Sequence, residues 1–245
     1  MTTEDTPSSL PEAPDAVLLA WGARPATNKG PKPKWSLAQL LDAAVHLGDE
    51  QGIDAITMSG LAKALGSGTM SLYRYVQSRE DLLILAADHA LGPGSTPTGR
   101  SPRERLQSWV RDLRSTYEAH PWLTATAVGA EPLLPSYIAR LDTGLGCLEP
   151  LGLTGTRAIT VLTMLWTYTR GDVEQATHLN DLIHGVAPDK INLLLAGRLR
   201  ALTENRPAPR VLAVLETDTD ADTGADEFEA AIDLVIDGIA SATQV

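Results

Sequence analysis

Residues 57–79 hold the densest set of side chains able to make specific polar contacts. Thr57, Thr69, Ser71, Tyr73 and Tyr75 carry hydroxyls, Arg74 and Arg79 carry fixed positive charge, and Met70 stands among them. Hydroxyls and guanidinium groups grouped in this way suit phosphate oxygens and base edges rather than bond cleavage. No G-x-S-x-G, G-x-x-x-x-G-K-[ST], H-E-x-x-H or G-x-G-x-x-G run occurs in the chain. Five scattered histidines and one cysteine make no triad visible in sequence. The chemistry predicted is binding; neither enzymatic activity nor a cofactor or metal is expected.

Such groups need a rigid frame, and the sequence supplies helix punctuation around them. Ser36 with Gln39 has the form of a capping box, followed by Leu37, Leu40, Leu41, Ala44 and Leu47 at helical spacing. Gly48 or Gly52 ends that helix. Thr57 opens a short second helix with Met58, Leu61, Ala62 and Leu65 apolar, and Gly66-Ser67-Gly68 breaks it. Thr69 to Val76 reads as a third helix. Ser78 with Asp81 opens a fourth that runs to Leu91. Two short helices joined by a glycine turn form a helix-turn-helix. Gly66 can take the left-handed conformation that the turn requires. Leu61, Leu65 and Leu72 would hold the pair together, leaving Thr69, Met70, Ser71 and Tyr73 on the outer helix, where a major-groove reader meets DNA. Arg79 falls where the unpaired amides of the next helix also favour phosphate.

Charge divides the chain in the same place. From Arg24 to Arg79 seven cations face four acids, although the whole chain carries −11. Residues 1–35 read as a disordered basic arm, in which Arg24, Lys29, Lys32 and Lys34 could reach phosphate or the minor groove. Residues 36–91 read as the DNA-binding domain, Gly92 to Gly99 as a flexible linker, and 101–245 as a larger, acidic helical domain. No strand pattern is visible, so the expected class is all-α. The lone Cys147 excludes an intramolecular disulfide. No charge-free apolar run approaches the length of a membrane span, and Met1 to Glu12 lacks the apolar stretch of a secretory leader. A cytoplasmic protein with no membrane partner is expected.

Within 101–245, the aromatic and large apolar residues Trp109, Leu113, Tyr117, Trp122, Tyr137, Leu141, Met164, Trp166 and Tyr168 are candidate walls of a small-molecule pocket. The plainer reading of each is a core side chain. Thr163, Arg170, Asp172, Glu174 and His178 are candidate polar contacts. The spacing of His178, Asp181 and His184 fits surface histidines better than metal ligands. Glu216 to Glu229 reads as an acidic loop. The stretch from Thr154 through Tyr168 is apolar nearly all round, and it and the amphipathic segment from Phe228 to Ile239 are candidate dimer surfaces.

Thr57 to Leu83 resembles the DNA-binding signature of the TetR-family transcriptional repressors, through Ala62, Leu65, Gly66, Thr69, Met70, Ser71, Leu72, Tyr73 and Tyr75, then Arg79-Glu80-Asp81-Leu82-Leu83. The His120-Pro121-Trp122 step and the last amphipathic segment resemble the family's C-terminal domain more loosely. Ser67 stands where the family often has an apolar turn residue, and Val76 where many members have Phe. The resemblance implies a three-helix N-terminal head and a larger C-terminal domain that binds ligand and dimerises. It also implies a homodimer that represses transcription from a palindromic double-stranded operator. A small-molecule effector, a moderately hydrophobic metabolite or antibiotic, would release the DNA; the alternative is a DNA-binding regulator, activator or repressor, without a small-molecule effector. The helix from Ser78 to Leu91 is the expected lever between the two domains.

Overall fold

The computed structural model describes residues 14–23, 34–126, 133–182, 190–202, 208–217 and 224–242. Among these residues all regular structure is helical. The head comprises α2 (Leu37–Gln51), α3 (Met58–Ala64), α4 (Thr69–Leu72) and α5 (Arg79–Leu91). Its first helix starts as expected: the Ser36 hydroxyl accepts from Gln39 N, and the Gln39 side chain accepts from Ser36 N. Gly52, at φ +81°, ends it. Leu40, Ala44, Ile56, Leu61, Leu72, Val76 and Leu82 close the head core.

The body comprises α6 (Pro102–Ala119), α7 (Pro135–Leu148), α8 (Gly155–Leu182), α9 (Ile191–Leu202), α10 (Pro209–Thr217) and α11 (Gly224–Ala242). Ser101 and Glu104 form a second capping box, with Pro102 in the first turn. Helices α6, α7 and α8 pack together, and Phe228, Ile232, Ile236 and Ile239 of α11 join their core. Side chains also bridge α6 and α11 as an antiparallel ladder. Arg103 meets Asp233 and Asp237, Gln107 meets Asp233, and Arg111 meets Glu229 in a two-pronged pair.

The structure corrects several sequence expectations. Within the arm assigned to residues 1–35, Asp15–Ala20 form a helix, α1, that packs on α5 and buries Ala16 and Val17. Trp21 Nε1 anchors it by donating to Leu133 O at 2.6 Å. Apolar contact there overrides the disordering effect of the prolines around it. Arg24, Lys29 and Lys32 lie outside the described residues. The glycine-rich stretch 92–99 is strapped to α6: Ser95 N and Oγ both donate to Asp112, and Thr98 N donates to Ser108 Oγ. The acidic stretch is mostly not a loop, because α10 continues to Thr217 and α11 resumes at Gly224. Residues 218–223 lie outside the described residues.

Two joints fix the head to the body. At the first, Asp88 near the end of α5 accepts from the N-terminal amides of α7, Ser136 N at 3.1 Å and Tyr137 N at 3.3 Å. The buried Arg140 of α7 donates to Leu91 O and Gly92 O, to Asp112 Oδ2 at 2.7 Å and to Thr116 Oγ1 at 2.7 Å. At the second, Trp122 lies flat on Gly48 of α2, and Trp122 Nε1 and His120 Nδ1 both lie 2.7 Å from Asp49 Oδ1.

The second joint makes Gly48→Ala a test of the packing. In an open helix the change would gain about 1 kcal/mol. Here the new Cβ would stand 2.6 Å from the indole, which its bond to Asp49 holds in place. Overpacking of this kind costs about 1–3 kcal/mol, so urea denaturation of the variant should show a net loss of stability. A gain would mean that the indole moves aside freely.

The first joint predicts a pH signature. Burial pushes the Asp88 carboxyl above its ordinary 3.8, against the opposing pull of the Ser136 and Tyr137 amides. A carboxyl with a raised folded-state pKa favours folding while protonated. That contribution fades as pH climbs from 3.8 through the raised value. Asp88→Asn does not ionise and keeps an acceptor for the α7 amides. Its stability relative to the parent should improve as pH rises through this window. Parallel denaturation curves across the pH series, with a constant difference, would refute the account.

Candidate functional site

The head presents one face on which outward side chains contribute almost nothing to packing. The turn before it is closed by Gly66 at φ +58°, with Ser67 N bonded to Ala62 O and Gly66 N to Lys63 O. That pair of bonds is a glycine-terminated helix end of the Schellman type. Ser67, polar where an apolar residue was the expected family choice, bonds Ser71 Oγ at 2.5 Å, and Ser71 also donates to Gly68 O. A hydroxyl pair thus does the work of apolar turn packing.

The outer helix is shorter than the sequence suggested. Thr69–Leu72 form α4, and the chain continues as turns to Tyr75. Leu72 and Val76 point into the core and are fully buried, whereas Met70 is 81% exposed and Tyr73 45%. Thr69 and Ser71 are half-buried, and Arg74 and Arg79 are exposed. Thr57 caps α3 by accepting from Gly60 N at 2.9 Å.

Tyr75 differs from its neighbour. Its ring packs against the core, and its oxygen accepts from Trp35 N at 3.2 Å and Arg74 Nη2 at 2.7 Å. Tyr75 therefore holds the chain entering α2 and steadies Arg74, which also lies over the ring at 4.8 Å. Lys34 is exposed, with its ammonium 4.4 Å from the centroid of Trp35. Met70, Tyr73, Arg74, Arg79 and Lys34 thus sit at the surface, with Tyr75 behind them.

The expected pocket walls fall into three places. Trp109, Tyr117, Tyr137 and Trp166 form one aromatic cluster between α6, α7 and α8. Trp166 Nε1 donates to the Tyr117 hydroxyl at 2.9 Å, Trp109 meets Trp166 edge-on at 5.9 Å, and Tyr137 meets it at 5.0 Å. Leu113 is fully buried and Leu141 packs against the same core. Trp122 belongs to the joint with α2. Met164 and Tyr168 face outward on α8 and line an open groove of about 780 Å³ with Ile159, Thr160, Thr163 and Thr167. Arg170 reaches toward Thr124 O and Thr126 O, and Asp172 faces Arg114 at 3.2 Å. Burial raises the Asp172 carboxyl above its ordinary value. The side chains of Asp181 and His184 lie outside the described residues; among those described, no group of three or more histidine, cysteine or acidic residues could hold a metal ion.

Sequence reasoning missed Arg140, Asp88 and Asp49, which join the domains. The available signal was position: an arginine inside an otherwise apolar helical stripe must find partners when buried.

With this geometry in view, the comparisons are specific. Residues 40–86 match the profile "Bacterial regulatory proteins, tetR family", and 96–243 match "Tetracyclin repressor-like, C-terminal domain". The chain belongs to the TetR family of bacterial regulatory proteins. It is 32% identical over 156 residues to the HTH-type transcriptional repressor DrrR1 of Streptomyces coeruleorubidus, an alignment that spans 62% of this chain and 58% of that repressor. It is 30% identical over 176 residues to an HTH-type transcriptional regulator of Saccharopolyspora erythraea, covering 71% and 72% of the two chains. The fold matches that of the TetR family protein ActR of Streptomyces coelicolor, solved in complex with actinorhodin, with a TM-score of 0.70 at 24% identity. That match covers 85% of this chain and 98% of ActR. No helix among the described residues is long and apolar enough to cross a membrane.

The two tyrosines provide a separation of roles. Tyr73→Ala should change stability by no more than about 0.5 kcal/mol, as for other surface substitutions, while weakening DNA binding. Tyr75→Phe, which removes an accepting oxygen, should cost about 1 kcal/mol of stability. Thermal melts paired with DNA-binding assays of both variants would check this, and equal losses of stability would contradict the inward placement of Tyr75.

Proposed function

We propose that this chain is a homodimeric, cytoplasmic transcriptional repressor that binds a palindromic operator through two heads and is released by a small, moderately hydrophobic effector held in the body. The observation that carries the reading is the outward face of α4. Met70, Tyr73 and Arg74 are displayed there on a turn whose packing is complete without them. Tyr73, Arg74 and Thr69 would meet bases and phosphates, with Thr57, Ser71, Arg79 and Lys34 at the edges of the contact and Tyr75 supporting it.

One head offers few cations, so a single copy would bind DNA weakly; pairing two heads doubles the phosphates neutralised. The outward stripe of α8, with Ile159, Met164 and Tyr168, and that of α11, with Leu234 at 74% exposure, supply apolar surface for a two-fold interface. The acidic body would repel DNA and confine contact to the heads. The effector reading rests on the aromatic cluster of Trp109, Tyr117, Tyr137 and Trp166, with Leu113 and Leu141 beside it. The printed names of DrrR1, a repressor, and of ActR, a protein crystallised with actinorhodin, support the same reading.

The test is binding of the purified chain to a tiled library of its own genomic neighbourhood at two salt concentrations. A single tight palindromic site with a steep salt dependence is expected, together with a dimer by light scattering. Leu234→Arg should yield monomers that lose that site. No site better than bulk DNA, from a protein whose mass spectrum shows no retained small molecule, would overturn the proposal.

A further inference from the structure

A hollow of about 380 Å³ lies where α1, α2, α5 and α7 meet, apart from both α4 and the aromatic cluster. Leu37, Leu41 and Leu85 form its apolar wall, Ala20 of α1 closes one side, and Asp88 and His89 are its ionisable lining. Apolar walls with a few convergent polar groups are the usual make-up of a small-molecule site.

The polar groups set the charge of an occupant. Asp88 is 7% exposed. Its Oδ1 accepts the α7 amides, Oδ2 lies 3.4 Å from Ser136 N, and the Ser136 side chain also bonds the carboxyl. A carboxylate has about four lone-pair sites, so capacity to accept from an occupant remains. His89 is already bonded to Asp42 Oδ1 at 2.6 Å. The nearest guanidinium, that of Arg140, is directed at Asp112, Thr116 and two carbonyls. The C-terminal end of α5 and the N-terminal end of α7 both meet this hollow, so their dipoles oppose one another there, and the last carbonyls of α5 are taken by Arg140. The charge preference therefore comes from the Asp88 carboxyl, which with the apolar walls favours a compact cation with a hydrocarbon body.

We propose that this hollow binds a compact apolar primary amine, with its ammonium donating to Asp88 and its hydrocarbon against Leu37, Leu41 and Leu85. The site touches head and body at once. It stands on its own geometry and does not depend on the operator reading.

The probe is cyclohexylmethylamine, with cyclohexylmethanol and cyclohexanecarboxylate as neutral and acidic counterparts, titrated into the full chain carrying labelled leucine methyls. The amine should shift the methyl resonances of Leu37, Leu41 and Leu85. The alcohol should bind about tenfold more weakly, because it can donate to Asp88 but brings no opposite charge, and the acid should not bind. Ala38→Phe, at an outward position on the rim, should fill the hollow and abolish the shifts while the far-ultraviolet spectrum stays unchanged. Asp88→Asn should reduce amine affinity to that of the alcohol. Equal binding of amine and alcohol, shifts confined to residues elsewhere, unchanged binding by A38F, or no shifts with millimolar amine would each overturn the proposal. If D88N fails to fold, A38F and the three probes decide alone.

Discussion

The arrangement of the whole chain depends on one buried guanidinium. Arg140 reaches from α7 to the last carbonyls of α5, to Asp112 and to Thr116. Those carbonyls have no partner within their own helix, and burying them without a donor would be costly. Burial disfavours ionisation of Asp112, but Ser95 and Arg140 outweigh it and hold its carboxyl below the ordinary range. One side chain therefore ends the head's last helix, fastens the strap that follows it and fixes the pitch of α6 and α7. With Asp88 capping α7 from the opposite direction, α5 and α7 are bonded end to end.

This end-to-end bonding fastens the helix expected to act as lever directly to the body. The sequence marked the helix from Ser78 to Leu91 as the link between domains, and the structure shows how the link is made rigid. Continuous apolar packing also runs from the head core into the body core. A change in the body's packing near Arg140 would be felt at α5 without a flexible segment to absorb it, because 92–99 is strapped to α6. The second joint, Trp122 on Gly48 with Asp49 shared between His120 and Trp122, holds α2 in the same way.

Local signals were the legible ones. The capping box at Ser36, the N-cap at Thr57 and the left-handed Gly66 depend on residues a few positions apart, so the sequence alone locates them. Of the four residues that the same local pattern placed outward, Met70 and Tyr73 are exposed, and Thr69 and Ser71 are half-buried. Long-range polar partnerships were not legible: nothing near Asp49 announces Trp122, and nothing near Arg140 announces Leu91. Helix α1 was missed because Pro-rich composition outweighed a short apolar run that packing on α5 buries. The candidate pocket walls fall in separate places for a related reason. An aromatic at helical spacing looks the same in sequence whether it joins a cluster, as Trp166 does, clamps a neighbouring domain, as Trp122 does, or faces outward, as Tyr168 does.

The brevity of α4 has an evolutionary consequence. A four-residue helix is far too short to be stable alone, and its place is set by Leu72, Val76 and the hydroxyl bonds of the turn. Positions 70 and 73 thereby carry little of the packing. They can accept substitutions one at a time while the scaffold stays intact. A lineage built on this head can vary that face without passing through unfolded intermediates.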